Sequence, residues 1–229
     1  MAVNVIMLGP PGAGKGTQGE RFAAGHRIPR IATGDMLRDE MHRGTALGSD
    51  VKAVMDRGEL VSDEVMINIV TERLSLPDVA NGFVLDDFPR TVGQAQALDA
   101  WMIGRDPLIV LDIVVPEAEL VRRLGARMIC AACGHNADGR ETTPGVCHIC
   151  GGKLIQRADD NAMVVLERFK VYQNATKPLV DFYKTRPTFR SINGAQSLDR
   201  VAADLTEAVE AISNSASAAA KVASGGGTR

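Results

Sequence analysis

The sequence predicts an α/β protein in which a mostly parallel sheet carries helices on both faces. Two observations support this prediction: short apolar runs alternate with helical patterns, and the first run leads through a glycine-rich turn into an amphipathic helix. The chain has 229 residues, of which 45% are hydrophobic, so it can bury one large core. The apolar runs that predict strands lie at residues 3–8, 30–33, 83–86, 108–115 and 188–192.

Helical patterns fill the intervals between these runs, and two stretches break the alternation. One stretch is all-helical and spans about 34–76, and the other is a cysteine-rich segment at 130–152; we expect both to be insertions. Ser62 is followed by Asp63 and Glu64, an order typical of a helix start with a capping hydroxyl. The helical patterns lie at 34–44, 47–58, 62–76, 91–103, 116–128, 160–174 and 198–212.

The charge balance argues against a nucleic-acid or membrane partner, because the formal net charge is -2 and the pI is about 6.1. No apolar run approaches the roughly 18 residues that a membrane span requires. The run at 3–8 is also too short for the core of a signal peptide, so we expect a cytoplasmic protein. Of 26 basic residues, 19 are arginine, the side chain best suited to bidentate phosphate contacts.

The segment GPPGAGKGT, residues 9–17, has the composition of a phosphate-binding loop. It fits the pattern G-x-x-x-x-G-K followed by a hydroxyl residue, with Gly16 standing between Lys15 and Thr17. Glycines let successive backbone N–H groups converge on phosphate oxygens at a helix N-terminus. Lys15 would reach the β and γ phosphates, and Thr17 would contact magnesium or its water. The predicted nucleotide contacts are Gly12, Ala13, Gly14, Lys15, Gly16 and Thr17.

All four cysteines of the chain lie in two C-x-x-C pairs. Their spacing, C-x2-C-x13-C-x2-C, indicates tetrahedral zinc held by thiolates, and a reducing compartment disfavours disulfides. Four thiolates would close the coordination shell, so the zinc would be structural and would supply folding free energy to a segment poor in apolar residues. Iron, a disulfide pair, and substitution by His135 or His148 are the alternatives. The predicted ligands are Cys130, Cys133, Cys147 and Cys150.

Four segments in a fixed order, GPPGAGKGTQ, TGDMLR, GELVSDE and LDDFPRTVGQA, resemble the signature segments of the adenylate kinases within the nucleoside monophosphate kinase family. The segments RLGARMIC, QRADD and ERFKVYQNATKPLVDFY extend the resemblance over nearly all of residues 1–212. The resemblance implies a three-layer P-loop kinase core, a helical AMP-binding insertion and a small zinc-binding lid. The implied boundaries are 1–31, 62–126 and 161–212 for the core, 32–61 for the insertion and 127–160 for the lid. For residues 213–229 the composition predicts a frayed helix end followed by a disordered tail.

The resemblance also implies the reaction, which is reversible Mg²⁺-dependent transfer of a phosphoryl group from ATP to AMP, giving two ADP, by a monomer. An acceptor phosphate is largely dianionic at pH 7, so it needs cations around it rather than a general base. The implied catalytic cations are Lys15, Arg90, Arg127, Arg157 and Arg168. The implied ATP contacts beyond the phosphate loop are Arg127, Asn136, Ala137 and Gln196.

The remaining implied roles concern AMP, magnesium and the lid hinge. Asp35 and Asp86 would orient magnesium-bound waters, and Asp159 and Asp160 would lie at the hinge of the lid. The implied AMP contacts are Thr33, Arg38, Glu59, Leu60, Val61, Asp87, Phe88, Pro89, Arg90, Gln94, Arg157 and Arg168.

One departure from the family pattern falls inside the site. Asp87 stands where D-G-F-P-R usually has glycine. If that glycine needs a positive φ, Asp tolerates it better than most residues, but the carboxylate would lie beside an anionic ligand. Ala126, Met128 and Met163 depart from the pattern around the lid.

Three other functions are consistent with parts of the sequence. The same chemistry on CMP, UMP or GMP is the nearest alternative, although Thr33 and Thr91 favour AMP. A zinc-ribbon nucleic-acid ATPase would need basic and aromatic residues near the cysteines, but residues 130–160 contain no aromatic residue. An inactive nucleotide-binding protein is disfavoured by the intact Lys15 and the complete set of arginines.

Overall fold

A computed structural model describes residues 2–137, 141–157 and 160–225, with side chains described as far as Ser215. Asp159, one of the two expected hinge residues, lies outside these ranges. The strands are β1 (Val3–Leu8), β2 (Arg30–Ala32), β3 (Gly82–Asp86), β4 (Leu108–Val114), β5 (Met128–Cys130), β6 (Leu154–Gln156) and β7 (Phe189–Asn193).

Five of these strands form one parallel sheet in the order β2-β3-β1-β4-β7. The other two, β5 and β6, pair antiparallel in the cysteine-rich segment. The prediction of an α/β fold with a parallel sheet is therefore confirmed. The helices are α1 (Lys15–His26), α2 (Thr33–Arg43), α3 (Ala46–Asp56), α4 (Asp63–Leu74), α5 (Val92–Met102), α6 (Glu117–Gly125), α7 (Ala162–Val171), α8 (Pro178–Tyr183) and α9 (Leu198–Gly225).

The central strands are mostly apolar because both of their faces are covered. In β1, Ile6 and Leu8 point into a core shared with α4, α5 and α8, whereas Val5 and Met7 point into a core shared with α1 and α9. Successive side chains of a strand alternate between faces, so a continuous apolar run is what a doubly covered strand requires.

Two helix ends differ from the sequence-based expectation. Ser62 precedes α4, but its side chain makes no capping hydrogen bond, whereas Asp63 turns toward α5. Helix α9 continues past the expected end near Ile212 as far as Gly225. The added segment is rich in alanine, which has the highest helix propensity.

The two insertions differ in how they join the core. In the helical insertion, Leu37 of α2 and Val51 of α3 belong to the same apolar cluster as the sheet. The lid hairpin has a separate small cluster built from Cys130, Cys147 and Leu154. Within the described ranges, no helix combines the length and the apolar character that crossing a bilayer demands.

The carboxyl edge of the sheet collects the polar residues that the motifs identified. The segment after β1 leads into Lys15, β2 leads into Thr33, and β3 ends at Asp86 beside Asp87. In open parallel sheets this edge is where ligands bind.

Candidate active site at the carboxyl edge of the sheet

The phosphate loop runs from Gly9 to Gly14, and α1 begins directly after it. Gly14 stands directly before the helix with φ 94°, a conformation that favours glycine. The ammonium group of Lys15 donates to the carbonyl oxygens of Gly9 at 2.9 Å and Pro10 at 3.2 Å. Burial lowers the pKa of Lys15, although neighbouring carboxylates raise it. The lysine is thus held over the loop, in the position from which it can meet a phosphate.

A wide cleft of about 810 Å³ opens above this loop. The loop forms its floor, and the lid and the segment before α9 form its sides. Seven arginines line the cleft together with Lys15, which makes it suited to a polyphosphate. These arginines are Arg30, Arg38, Arg122, Arg123, Arg127, Arg157 and Arg168.

A second, smaller pocket lies between the helical insertion and the segment that follows β3; we call it the insertion pocket. It is about 70 Å³ and combines apolar and cationic walls. A third cavity of about 40 Å³ lies between the phosphate loop and α7. Asp87 and Arg168 line all three spaces, so the spaces meet at these two residues. The insertion pocket is lined by Thr33, Gly34, Leu37, Arg38, Met55, Gly58, Glu59, Leu60, Val61, Met66, Asp87, Arg90, Gln94, Arg157 and Arg168.

Asp87 places a carboxylate at this meeting point. Its φ is 64°, a conformation that favours glycine and that Asp tolerates better than most residues. One carboxylate oxygen lies 2.9 Å from Arg90, and the other lies 3.7 Å from Lys15. Burial favours the neutral acid, but Arg90, Lys15 and Arg168 outweigh it and hold the pKa of Asp87 well below its usual range. A negative charge therefore lies where cations from several elements converge.

Hydrogen bonds organise the polar wall of the insertion pocket. The hydroxyl of Thr33 donates to the carbonyl oxygen of Asp87 at 3.0 Å. The amide nitrogen of Gln94 donates to Asp63 at 2.8 Å, and its amide oxygen accepts from the backbone N–H of Arg90 at 2.8 Å. Gln94 is therefore fixed at both ends, and its orientation is set by residues from α4 and from the segment after β3.

Two carboxylates face the phosphate loop and share one arginine. Arg30 donates to Asp86 at 2.6 Å and to Asp35 at 3.1 Å, and Asp35 also pairs with Arg38. Asp86 is almost fully buried and lies close to the backbone of Gly16. Burial, together with the charge of the adjacent Asp87, raises the pKa of Asp86, although Arg30 opposes the shift.

The lid flank is tied to α7 through a buried aspartate. Asp160 accepts from Arg127 at 2.6 Å and from Arg168 at 3.1 Å, and its side chain is 0% exposed. The hinge role expected for Asp160 stays a prediction. Two arginines from different elements are thus oriented by one carboxylate.

The four cysteine sulfurs lie within 4.8 Å of one another. Cys130 and Cys150 are 3.4 Å apart, and Cys133 and Cys147 are 3.8 Å apart. Ligand sulfurs around tetrahedral zinc lie roughly 3.8 Å apart, given zinc–sulfur bonds of about 2.3 Å. Hydrogen bonds from the backbone, that of Cys133 first, lower the pKa of Cys130 to about 6. The backbone of His135 also lowers the pKa of Cys133, but burial and the neighbouring thiols outweigh it and raise that pKa to about 12. The donor set and its spacing therefore fit a closed four-thiolate metal site.

Comparison with known proteins agrees with this geometry. The family model of adenylate kinase matches residues 7–188. The chain belongs to the adenylate kinase family. Its activity is that of an adenylate kinase, a nucleoside monophosphate kinase that transfers a phosphoryl group from ATP to AMP.

The similarity extends along almost the whole of several relatives. An adenylate kinase of Rhizobium etli is 46% identical over 209 residues, which cover 89% of this chain and 97% of the relative. One of Archaeoglobus fulgidus is 44% identical over 215 residues, covering 92% and 99%. One of Desulfitobacterium hafniense is 45% identical over 213 residues, covering 91% and 98%.

Among the described residues that the family resemblance assigned to nucleotide contacts, all but Phe88 line these three spaces. Gly12 to Thr17, Asn136, Ala137 and Gln196 line the wide cleft. Pro89 lines the small cavity between the phosphate loop and α7. The side chain of Phe88 is instead buried in the apolar core that α4 and α5 cover. The buried ring of Phe88, two residues before Arg90, anchors this segment to the core.

Sequence reasoning missed several side chains that shape the adenylate kinase site. Arg30 donates to both Asp35 and Asp86. Its charge at the start of an apolar run could have indicated a functional role. Asp63 holds Thr91 and Gln94, although the sequence suggested only a helix-start charge. Tyr172 lines the small cavity from a π-helical turn at Tyr172–Thr176, which no pattern in the sequence predicted.

Proposed function

We propose that ATP binds in the wide cleft, that AMP binds in the insertion pocket, and that the phosphoryl group passes between them beside Asp87 and Arg168. The meeting of the three spaces at these two residues is the observation that carries the proposal. A donor and an acceptor held on either side of one point satisfy the in-line geometry of phosphoryl transfer.

Cations rather than a general base perform the chemistry in this proposal. The AMP phosphate is already largely dianionic at neutral pH, so no proton has to be removed from it. Lys15 holds the β and γ phosphates of ATP, whereas Arg38 and Arg90 hold the phosphate of AMP. Arg127, Arg157 and Arg168 neutralise the charge that spreads over the transferring group. Arg127, Arg157 and Arg168 also line the wide cleft beside the phosphate loop.

In this assignment the adenine of AMP is recognised by Thr33, Gln94 and the backbone of Glu59 to Val61. The fixed orientation of Gln94 supports the role, because a side-chain amide held at both ends presents a defined pattern of donors and acceptors. An isostere that lacks the matching groups would leave polar atoms unpaired, which penalises its binding.

Asp35 and Asp86 fit a role in holding magnesium through water. Carboxylate oxygens are the ligands that Mg²⁺ prefers, and Asp86 lies against the phosphate loop near Gly16. When bound with ATP, Mg²⁺ would neutralise the β and γ oxygens. Arg30 bridges both carboxylates and thereby fixes where they point.

We assign the four-cysteine cluster to structural zinc. The described part of the lid buries few apolar side chains, so a metal is needed to hold its hairpin. A rigid lid lets Arg127 and Arg157 close over ATP together and keep water from accepting the phosphoryl group. Reduced thiolates are consistent with a cytoplasmic location, and the family resemblance supports a monomer.

The test is ADP formation from MgATP with AMP, CMP, UMP or GMP supplied separately, followed by phosphorus NMR. We expect fast turnover with AMP and a strong preference for it over the other three acceptors. A preference for CMP, UMP or GMP would contradict the adenine contacts while leaving the phosphate sites in place. Absence of transfer to all four acceptors by folded protein would contradict the proposed site as a whole.

A further inference from the structure

The lid contains a second group of potential metal ligands besides its cysteines. A nitrogen of His135, a nitrogen of His148 and a carboxylate oxygen of Glu141 all lie within 4.8 Å of one another. The two rings meet edge to face with their centroids 4.9 Å apart. The Nδ1 atom of His148 is 3.6 Å from the carboxylate of Glu141. The assigned zinc site uses none of these three side chains.

The burial of His135 is the observation that points to a ligand. Its side chain is only 6% exposed, and neither ring nitrogen makes a hydrogen bond within the described part of the chain. The Nδ1 atom of His148 is likewise buried without a hydrogen bond there. Buried polar atoms almost always have a partner, so two adjacent rings in this state indicate a group that completes them.

The donor set specifies the class of that group. Two imidazoles and one carboxylate bind Zn²⁺ and similar divalent transition ions, and they leave one coordination position open. Ligand atoms around tetrahedral zinc in such a site lie roughly 3.3 Å apart, so side-chain movements of about an ångström bring these three groups onto one ion.

We propose that His135, Glu141 and His148 form a second divalent transition-metal site in the lid, separate from the four cysteines. Glu20 of α1 lies beside it, with a carboxylate oxygen 3.5 Å from Nδ1 of His135. Metal-bound histidines usually have a carboxylate of this kind as an outer partner, which orients the ring and raises its basicity. The site therefore lies where the lid faces the core.

The test is a titration of Co²⁺ into protein whose four-cysteine site is already filled with zinc. We expect one equivalent of cobalt to bind and to give visible ligand-field absorption without a thiolate-to-cobalt charge-transfer band. His135→Gln and His148→Gln should each weaken cobalt binding by more than about 100-fold, since even the loss of an outer partner costs 10–100-fold. Glu20→Gln should weaken it about tenfold for that same reason.

The matched control is His42→Gln, which removes an exposed histidine of α2 and should bind cobalt like the wild type. Zinc content of one ion per chain and an unchanged thermal melt before titration would show that each variant is folded. The proposal is overturned if wild-type protein binds no cobalt beyond its lid zinc, if a thiolate band shows that cobalt enters the cysteines, or if both His variants bind as tightly as the wild type. Glu141→Gln provides an independent variant on the third ligand.

Discussion

The helical insertion and the lid both close over the carboxyl edge of the sheet, but different forces hold them. The insertion contributes Leu37 and Val51 to the main apolar core. The lid has a small cluster of its own, in which two of the three buried members are cysteines. Burial of apolar surface therefore stabilises the insertion together with the core, whereas the lid buries little apolar surface and would depend on the proposed zinc to cross-link its loops. The insertion is thus an extension of the core, and the lid is a separate unit.

Loss of the proposed lid zinc should have the largest effect, because it should destabilise the lid and leave the insertion folded. Cys147→Ser should disorder the hairpin of β5 and β6, because a four-thiolate zinc site supplies on the order of 10 kcal/mol of folding free energy. Segment-resolved hydrogen exchange should show faster exchange in β5 and β6 and unchanged protection in α2 and α3. Ser49→Ala in the insertion is a control of similar size. Equal loss of protection in both regions would contradict the separation.

Arg90→Met tests the insertion side of the site. Loss of a charge that holds the acceptor phosphate should lower kcat/KM for AMP by about 100- to 1,000-fold, the range typical for one group that stabilises a transition state. Steady-state kinetics would measure it, and the metal content of the lid should not change. Arg43→Met is the matched control because Arg43 is 62% exposed on α2 and lines none of the three spaces. Turnover close to wild type in Arg90→Met would remove this arginine from the proposed site.

Asp87→Gly tests the carboxylate that lies where the insertion pocket meets the wide cleft. The carboxylate competes with phosphate for Arg90 and Lys15, so its removal should raise the affinity for AMP about tenfold, or roughly 1.4 kcal/mol. Asp87→Asn keeps a residue that tolerates positive φ and removes only the charge. Equilibrium titration should give similar gains for both variants. A gain in the glycine variant alone would trace the effect to the backbone instead.

Asp87 should also leave a signature in the acid stability of the protein. Its pKa is lower in the folded protein than in the unfolded chain, so the carboxylate stabilises the fold above a pH of about 4, and this contribution is lost as the pH falls through the folded-state value. Denaturant titrations below pH 4 should therefore show a shallower loss of stability for Asp87→Asn than for the wild type. Identical slopes would mean that Arg90 and Lys15 do not stabilise this charge.

The smallest expected effect concerns a helix cap in the insertion. The hydroxyl of Thr45 accepts from the backbone N–H of Gly48 at 3.0 Å at the start of α3. Thr45→Ala should lower the free energy of unfolding by about 1 kcal/mol. Because the insertion shares the main core, the loss should appear in the global melt. A loss of stability confined to the insertion would contradict the shared core.

Local patterns predicted the parts of the molecule that local forces determine. The five strands of the parallel sheet, the glycine-rich turn before α1 and the cysteine pairs each depend on residues close together in the chain. The structure shows these five strands and brings the four cysteines together, as their patterns indicated. Asp87 was noted as a departure from a glycine of the family pattern, and its φ of 64° is a conformation that favours glycine.

Contacts between distant segments were not visible in the sequence. Arg30 pairs with Asp86, which lies 56 residues further along the chain, and Asp63 bonds to Gln94 31 residues away. The periodicity of apolar residues along a sequence does not indicate which distant side chains pair. The short strands β5 and β6 were missed because three residues each give no alternation to detect. Helix α8 was missed because a proline begins it and a π-helical turn precedes it.

The carboxylate partners of the arginines have a consequence for how nucleotides bind. Arg90 is paired with Asp87, Arg38 with Asp35, and Arg127 with Asp160. A phosphate that binds one of these guanidinium groups must displace its carboxylate, so one ion pair replaces another and no isolated charge is neutralised. Ligands with a single negative charge gain little from that exchange, whereas a dianion can displace a carboxylate and still attract a second cation. These ion pairs should therefore favour dianionic ligands over ligands with a single negative charge.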